Sequence, residues 1–230
     1  QRMDSTMIMP NIKKAGRLVL IYDVLVQAIK SLPEELLTGQ FKDIINSEYK
    51  KELLYKSKAQ EAESKINTLL NHCYEIVKLV AKDKKFVESN EVRILQRMLN
   101  EQANIDKSVD ICTAKDKKEI SSESLQSAFD EDATYRKKSG KSNSGYVVNL
   151  AETCSKENKV QLITDYVTDK NIKSDADFGR ERVEEILKNT GVEEVYLDGG
   201  YYSEDLAKKE SVRVNFTDMT GREPSSEKFQ

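Results

Sequence analysis

Two carboxylates stand where a side chain can do chemistry. Asp198 follows the apolar run Val195-Tyr196-Leu197 and precedes Gly199-Gly200-Tyr201-Tyr202-Ser203. The run is short, β-prone and bounded by polar residues, which predicts a buried strand. The glycine pair breaks that strand. Ser203, followed by Glu204 and Asp205, reads as the N-cap of a helix with acids in its first turn. Asp198 is therefore expected at the carboxyl end of a strand, where open α/β sheets place their ligands. A turn-forming Asp whose side chain bonds its own backbone explains the same residues. Asp4 lies inside the loosely alternating run 1–9 and is followed by Ser5 and Thr6. A charge within a core strand is costly unless it is paired or coordinates a metal. An edge strand with Asp4 facing water is the other reading.

The elements that must position these acids come in a definite order. After the strand at 1–9, Pro10 ends the element. A basic cluster, Lys13, Lys14 and Arg17, leads into a helical run, Leu18 to Ile29. In the stretch Glu61 to Asp83, Ile66, Leu69, Leu70, Cys73, Val77 and Val80 recur at three- and four-residue steps and share one helix face. A second helix is expected from Asn90 to Ile105, and the whole of 11–120 reads as an α-helical block. Lys115 to Ser124 is a polar connection, after which the period shifts towards two. The run Lys137 to Gly145 has hairpin-turn chemistry. Strands are expected at Tyr146–Leu150 and Val160–Val167. Ser174 to Asp177 matches a capping box, opening a helix that Gly191 closes. The strand to Asp198, a short helix Ser203–Lys209 and a last strand Val212–Thr217 follow. Without the helical block this is a mixed sheet: an antiparallel meander finished by βαβ units.

Composition removes several classes of function. The 230 residues carry a formal net charge of -3, which argues against a chain coated in nucleic acid, although one local basic groove is compatible with it. No apolar run approaches the ~20 residues needed to span a bilayer, so no membrane partner is expected. Cys73, Cys112 and Cys154 are odd in number and lack metal-ligand spacing, which fits a reducing cytoplasm without a disulfide framework or a zinc site. His72 is the only histidine and leaves little room for a His-based triad; a packing or surface role is expected of it. The chain opens at Gln1 and ends in a polar run at Gln230, and is expected to be a fragment of a longer protein.

Asp4-Ser5-Thr6, then Asp130 to Lys138 with Gly145-Tyr146, then Asp198-Gly199-Gly200-Tyr201 with Ser203 occur in this order, with the expected strands between them. The combination resembles the RNase H-like catalytic core of DDE transposases from bacterial insertion sequences. The resemblance covers 1–9 and 125–220; the helical block matches less. It implies an α/β fold, an RNase H-like mixed sheet with flanking helices, interrupted after the first strand by a large α-helical insertion. The division would be 1–10 for the first strand, 11–120 for the insertion and 121–230 for the remainder, truncated before the last catalytic helix. In that family two Asp and a Glu hold two divalent ions, normally Mg2+, with Mn2+ possible. Asp4 and Asp198 would be the catalytic and metal-binding acids.

The third acid would lie on a helix beyond Thr217. Glu223 and Glu227 stand in a Ser-rich stretch broken by Pro224, and neither is assigned. The implied activity is DNA cleavage and strand transfer by a homo-oligomer on transposon ends and target DNA, in the bacterial cytoplasm and at the nucleoid when active. The fragment itself would be inactive. An RNase H-like nuclease that cuts without joining, and a decayed, non-catalytic DNA-binding remnant, are the alternatives. Lys13, Lys14, Arg17, Arg136, Lys137, Lys138 and Lys141 would contact DNA phosphates, or else lie on solvated surfaces. Asp130 and Asp132 fit a turn, and Tyr201 and Tyr202 fit packing.

Overall fold

The structure, a computed structural model, describes residues 1–8, 16–55, 61–138 and 140–217, without the side chains of Leu54 and Tyr55. Expectations for Lys13, Lys14, Glu223 and Glu227 lie outside the described residues. The chain is α/β, with a mixed sheet and flanking helices. It divides into two compact units, Gln1–Pro10 with Lys137–Gln230, and Asn11–Arg136. Residues 121–136 thus group with the helical segment before them.

The first strand, β1 (Arg2–Ile8), buries Met3 and exposes Arg2, Asp4, Thr6 and Ile8, as a pleated strand between a core and an open face must. The helical unit follows with α1 (Arg17–Ser31), α2 (Gly39–Ile44), α3 (Ser47–Tyr55), α4 (Ala62–Val80), α5 (Lys84–Val87) and α6 (Asn90–Gln102). Ile21, Leu25, Leu69, Ile76, Leu95 and Met98, repeating at helical spacing on α1, α4 and α6, are fully buried in one core.

The unit is not wholly helical. A hairpin, β2 (Ala103–Asp106) with β3 (Ile111–Ala114), follows α6, so the helix expected to reach Ile105 stops at Gln102. The cause is distant in sequence. Asn71 on α4 donates from Nδ2 to the Cys112 carbonyl at 2.9 Å and accepts the Cys112 N–H at 2.9 Å. Asn67, one turn earlier, accepts the Ala114 N–H at 2.8 Å. The two side chains serve the edge of β3 as a neighbouring strand would.

The sheet unit holds β4 (Thr134–Lys138), which begins three residues before its boundary, and β5 (Lys141–Glu152), β6 (Ile163–Lys170), α7 (Asp175–Thr190), β7 (Glu194–Asp198), α8 (Glu204–Ala207) and β8 (Arg213–Thr217). The strands run β4-β5-β1-β7-β8, with β6 also on β5. β1 is antiparallel to β5, with Arg2 opposite Glu152 and Ile8 opposite Tyr146. β1 is parallel to β7, and β7 to β8. So β1 is a central strand, not an edge.

On one face α7 and α8 bury Phe178, Val183, Ile186 and Leu206 against Met3, Val147, Val195 and Leu197. Ser174 caps α7, accepting the Asp177 N–H at 3.1 Å; its hydroxyl donates to Asp177 Oδ2 at 2.6 Å, so the acid answers the cap through the serine side chain. Gly191 ends α7 at φ 61°, the left-handed position glycine takes without strain.

Two expected boundaries move. β5 starts at Lys141, so much of the expected turn is strand. β6 starts at Ile163, because Val160 and Leu162 are exposed, at 69% and 62%, and precede the paired segment. Asp165 of β6 fastens α7: Arg182 donates from Nε to Oδ2 at 2.9 Å and from Nη2 to Oδ1 at 2.5 Å. The Asp165 side chain is 11% exposed and that of Arg182 22%. Asp165→Ala is expected to lower stability by about 2 kcal/mol, less than for a fully buried pair because Arg182 keeps some water. Urea unfolding measures this; a change below ~0.5 kcal/mol would leave the pair no structural role.

Candidate active site

β1 pairs with β7 at Arg2 and Tyr196. Carrying that parallel register two residues on sets Asp4 beside Asp198, on strands about 4.8 Å apart. Both are exposed, opposite the face that buries Met3, Val195 and Leu197. The two expected acids are therefore neighbours on one open face. The turn reading of Asp198 also holds: its Oδ1 accepts the Gly200 N–H at 2.7 Å, capping the 3-10 turn Gly199–Tyr201. Asp4 Oδ1 accepts the Ser5 N–H at 2.7 Å. Each carboxylate thus keeps its Oδ1 on the neighbouring backbone.

An open groove of about 1090 Å³ runs over this face, lined by Asp4, Thr6, Asp198 and Thr217, with Arg2 and Lys156 further along. Arg2 is engaged by Glu152, Nε to Oε1 at 2.5 Å. Glu194, at the same face, is held below the usual carboxylate range by hydrogen bonds from the Asn215 amide and the Tyr196 hydroxyl.

Beneath the acids lies a polar cluster that joins Ser5, Tyr201 and Lys138 of the motif to Asp175 and Asn149, which were not part of it. Asp175, the first residue of α7, is 11% exposed and accepts from Ser5 Oγ at 2.6 Å. Its Oδ2 lies 3.7 Å from Lys138 Nζ. Tyr201 is fully buried and accepts from Asn149 Nδ2 at 2.5 Å. Burial pushes the Tyr201 phenol upward, the Ser5 hydroxyl opposes this, and the carboxylates of Asp175, Asp4 and Asp198 add to the rise. A Cβ on Gly200 would meet Asp198 Oδ1 at 2.9 Å and Asp175 Oδ2 at 3.2 Å, so a larger residue there would have to displace one or both carboxylates. Asp175 read in the sequence as a first-turn helix acid and Asn149 as a strand position; only the neighbouring Ser-Thr and Gly-Gly signals marked the place.

The described basic residues belong to both units. Lys138 reaches Asp175, and Lys137 and Lys141 are exposed on β4 and β5. Arg136 is half-buried on β4. Arg17, in the helical unit, spends its guanidinium on the carbonyls of Gln102 at 2.7 Å and Lys115 at 2.8 Å. Asp130 accepts the Asp132 and Ala133 N–H groups, a turn geometry. His72 lies beside Gln40 and Glu75 on the helical unit.

Among the described residues, no three His, Cys, Asp or Glu side chains converge as a metal-binding group. The pair Asp4 and Asp198 nevertheless has the donor chemistry of a hard-cation platform: Mg2+ is typically held by one or two carboxylates, with water and substrate phosphate completing its shell. No described helix is long and apolar enough to cross a membrane. No protein-family model, curated protein or solved structure matches the chain.

Proposed function

We propose that this chain carries the RNase H-like catalytic core of a DDE transposase of a bacterial insertion sequence, with residues 11–120 as an insertion after the first strand. The observation that carries the reading is the register of β1 on β7, which sets Asp4 and Asp198 side by side on the open face of one sheet. Acids nearly two hundred positions apart converge in this way only if the strands bearing them are neighbours. In this reading Asp4 and Asp198 hold Mg2+, or Mn2+, with a third acid from outside the described residues. Bound there, two ions about 3.5–4 Å apart would supply an activated water or 3′-hydroxyl and stabilise the leaving oxygen of an in-line displacement at a phosphodiester.

The chain's own part is to fix the acids and to meet the DNA backbone. Lys137 and Lys141 are exposed on β4 and at the start of β5 and are suited to phosphate contacts, whereas Lys138 lies 3.7 Å from Asp175. Thr6 in the groove offers a hydroxyl to phosphate oxygens, while Thr217 donates its own to the Leu197 carbonyl at 3.2 Å. Transposition needs two DNA ends held together, so the working form is a homo-oligomer on DNA, acting in the bacterial cytoplasm.

The test uses full-length protein and DNA with marked transposon ends, in Mg2+ and in EDTA. Mg2+-dependent cutting followed by joining of the 3′-hydroxyl to target DNA is expected. Cutting without joining would make the protein an RNase H-like nuclease. DNA binding with neither step would overturn the catalytic reading.

A further inference from the structure

The two acids are exposed, yet what ties their strands together lies underneath. Ser5 alternates with Asp4 and points to the other side of β1, where its Oγ donates to Asp175 Oδ1 at 2.6 Å. Asp175 is well placed as an anchor. It opens the sixteen-residue helix α7, where the amide dipoles favour a negative charge, and Lys138 lies 3.7 Å from its second oxygen. An ionised carboxylate can only accept, so Ser5 must donate to it. The Tyr201 phenol lies beside the same serine. The tyrosine in turn takes the Asn149 amide N–H at 2.5 Å. Asn149, Tyr201, Ser5 and Asp175 thus form one contiguous polar run whose charged end is Asp175.

The arrangement carries a visible penalty. Asn149 is fully buried, and its Oδ1 has no hydrogen-bond partner among the described residues. A core amide left half satisfied persists where the surroundings over-determine it, and such places gather at functional sites. Here the amide faces Tyr201, three residues after Asp198.

The same residues reach both acids. The Ser5 N–H holds Asp4 Oδ1 at 2.7 Å, while the Ser5 hydroxyl belongs to the buried chain. The Gly200 N–H holds Asp198 Oδ1 at 2.7 Å, and the next residue, Tyr201, belongs to the buried chain. Gly200 itself is wedged between Asp198 and Asp175.

We propose that Tyr201, Ser5 and Asp175 act as one positioning unit, a hydrogen-bonded bridge beneath the sheet surface that fixes the separation of the Asp4 and Asp198 carboxylates and thereby sets their affinity for a divalent cation. The proposal rests on the reading of Asp4 and Asp198 as the cation-binding pair. It makes Tyr201 more than a packing residue: it shares the core with Phe178 and Leu206, and its hydroxyl, on the turn after β7, takes the Asn149 amide of β5 beside Ser5 of β1.

The test is Mn2+ binding to the full-length protein without DNA, followed by the electron paramagnetic resonance signal of free Mn2+, with thermal unfolding of the metal-free protein in parallel. Asp4→Asn and Asp198→Asn are compared with Tyr201→Phe, Ser5→Ala and the double variant Tyr201→Phe/Ser5→Ala. The Asp4 and Asp198 variants are expected to lose Mn2+ binding. Tyr201→Phe and Ser5→Ala, which leave every carboxylate in place, are expected to weaken it about 10- to 100-fold, as removal of outer-shell partners does. Their Tm should stay within about 5 °C of the parent. The double variant should be no weaker than the worse single one, because one break already opens the bridge.

Unchanged Mn2+ binding in Asp4→Asn and Asp198→Asn would overturn the site reading itself. Loss in those two, with Tyr201→Phe and Ser5→Ala within about twofold of the parent, would leave the site reading standing and overturn the bridge. Additive losses in the double variant would also overturn it, since two independent effects would then be at work. Should Tyr201→Phe fold poorly, Ser5→Ala, at a partly exposed position, decides alone.

Discussion

Replacing Asp4 or Asp198 by Asn is expected to slow Mg2+-dependent DNA cleavage by the full-length protein about 10³-fold, the loss that follows when several kcal/mol of charge stabilisation leave a transition state. Asn is the informative replacement because it separates two roles. Asp198 Oδ1 caps the turn through the Gly200 N–H, and Asp4 Oδ1 takes the Ser5 N–H. An Asn carbonyl accepts both bonds, so backbone and turn are kept while the charge goes. The metal-free protein should melt no lower than the parent, because removing one of two adjacent like charges relieves repulsion. A rise in Tm is expected when Mg2+ is added to the parent and should be absent from both variants, in which the ion would not bind the folded state preferentially. Cleavage rates within about twofold of the parent would remove both acids from the chemistry.

A second large effect is expected from Phe178→Ala, a loss of about 3–5 kcal/mol from the sheet unit. Phe178 is fully buried under the sheet, and Lys173 Nζ stands 4.8 Å from its ring centroid. It shares its core with Met3, Val147, Val195, Leu197 and Tyr201, and few other large side chains fill that space. A domain of ordinary stability holds only about 5–15 kcal/mol in all, so the variant should unfold this unit far below the parent's transition. The helical unit has its own core, around Ile21, Leu69 and Leu95, and should keep its protection. Hydrogen exchange resolved by residue distinguishes the two: amides of β5, β7 and α7 should lose protection, while those of α1, α4 and α6 retain it. Equal loss in both sets would mean that the chain unfolds as one cooperative body.

Where signals were local, the sequence was readable. Ser174 and Gly191 marked both ends of α7, and the Val195–Leu197 run marked β7, because caps and short apolar runs act within a few residues. Asp4 and Asp198 stood out because a carboxylate is unusual in or beside such a run, and their exposure on one face of the sheet accounts for it. The β2–β3 hairpin was not legible. Its strands are four residues each, and what holds them is Asn67 and Asn71, more than thirty positions earlier. The exposed Val160 and Leu162 misplaced the start of β6, since an apolar residue carries no mark of whether it is paired. Asp175 and Asn149 were legible as elements of helix and strand. Their place beneath the acids depends on a β1–β5 pairing that joins Arg2 to Glu152, which no window along the chain contains.

That pairing also orders events during synthesis. β1 leaves the ribosome long before the strands it pairs with and is the middle strand of the finished sheet, and its antiparallel partner is complete only at Glu152. At roughly 5–20 residues per second, β1 waits on the order of 10 s for that partner. Throughout that interval its backbone is an unpaired strand edge, of the kind that templates aggregation. The charges of Arg2 and Asp4 within it act as gatekeepers that keep such an edge from joining another chain. The acid proposed to work in the finished site thus also guards the strand while it is still alone.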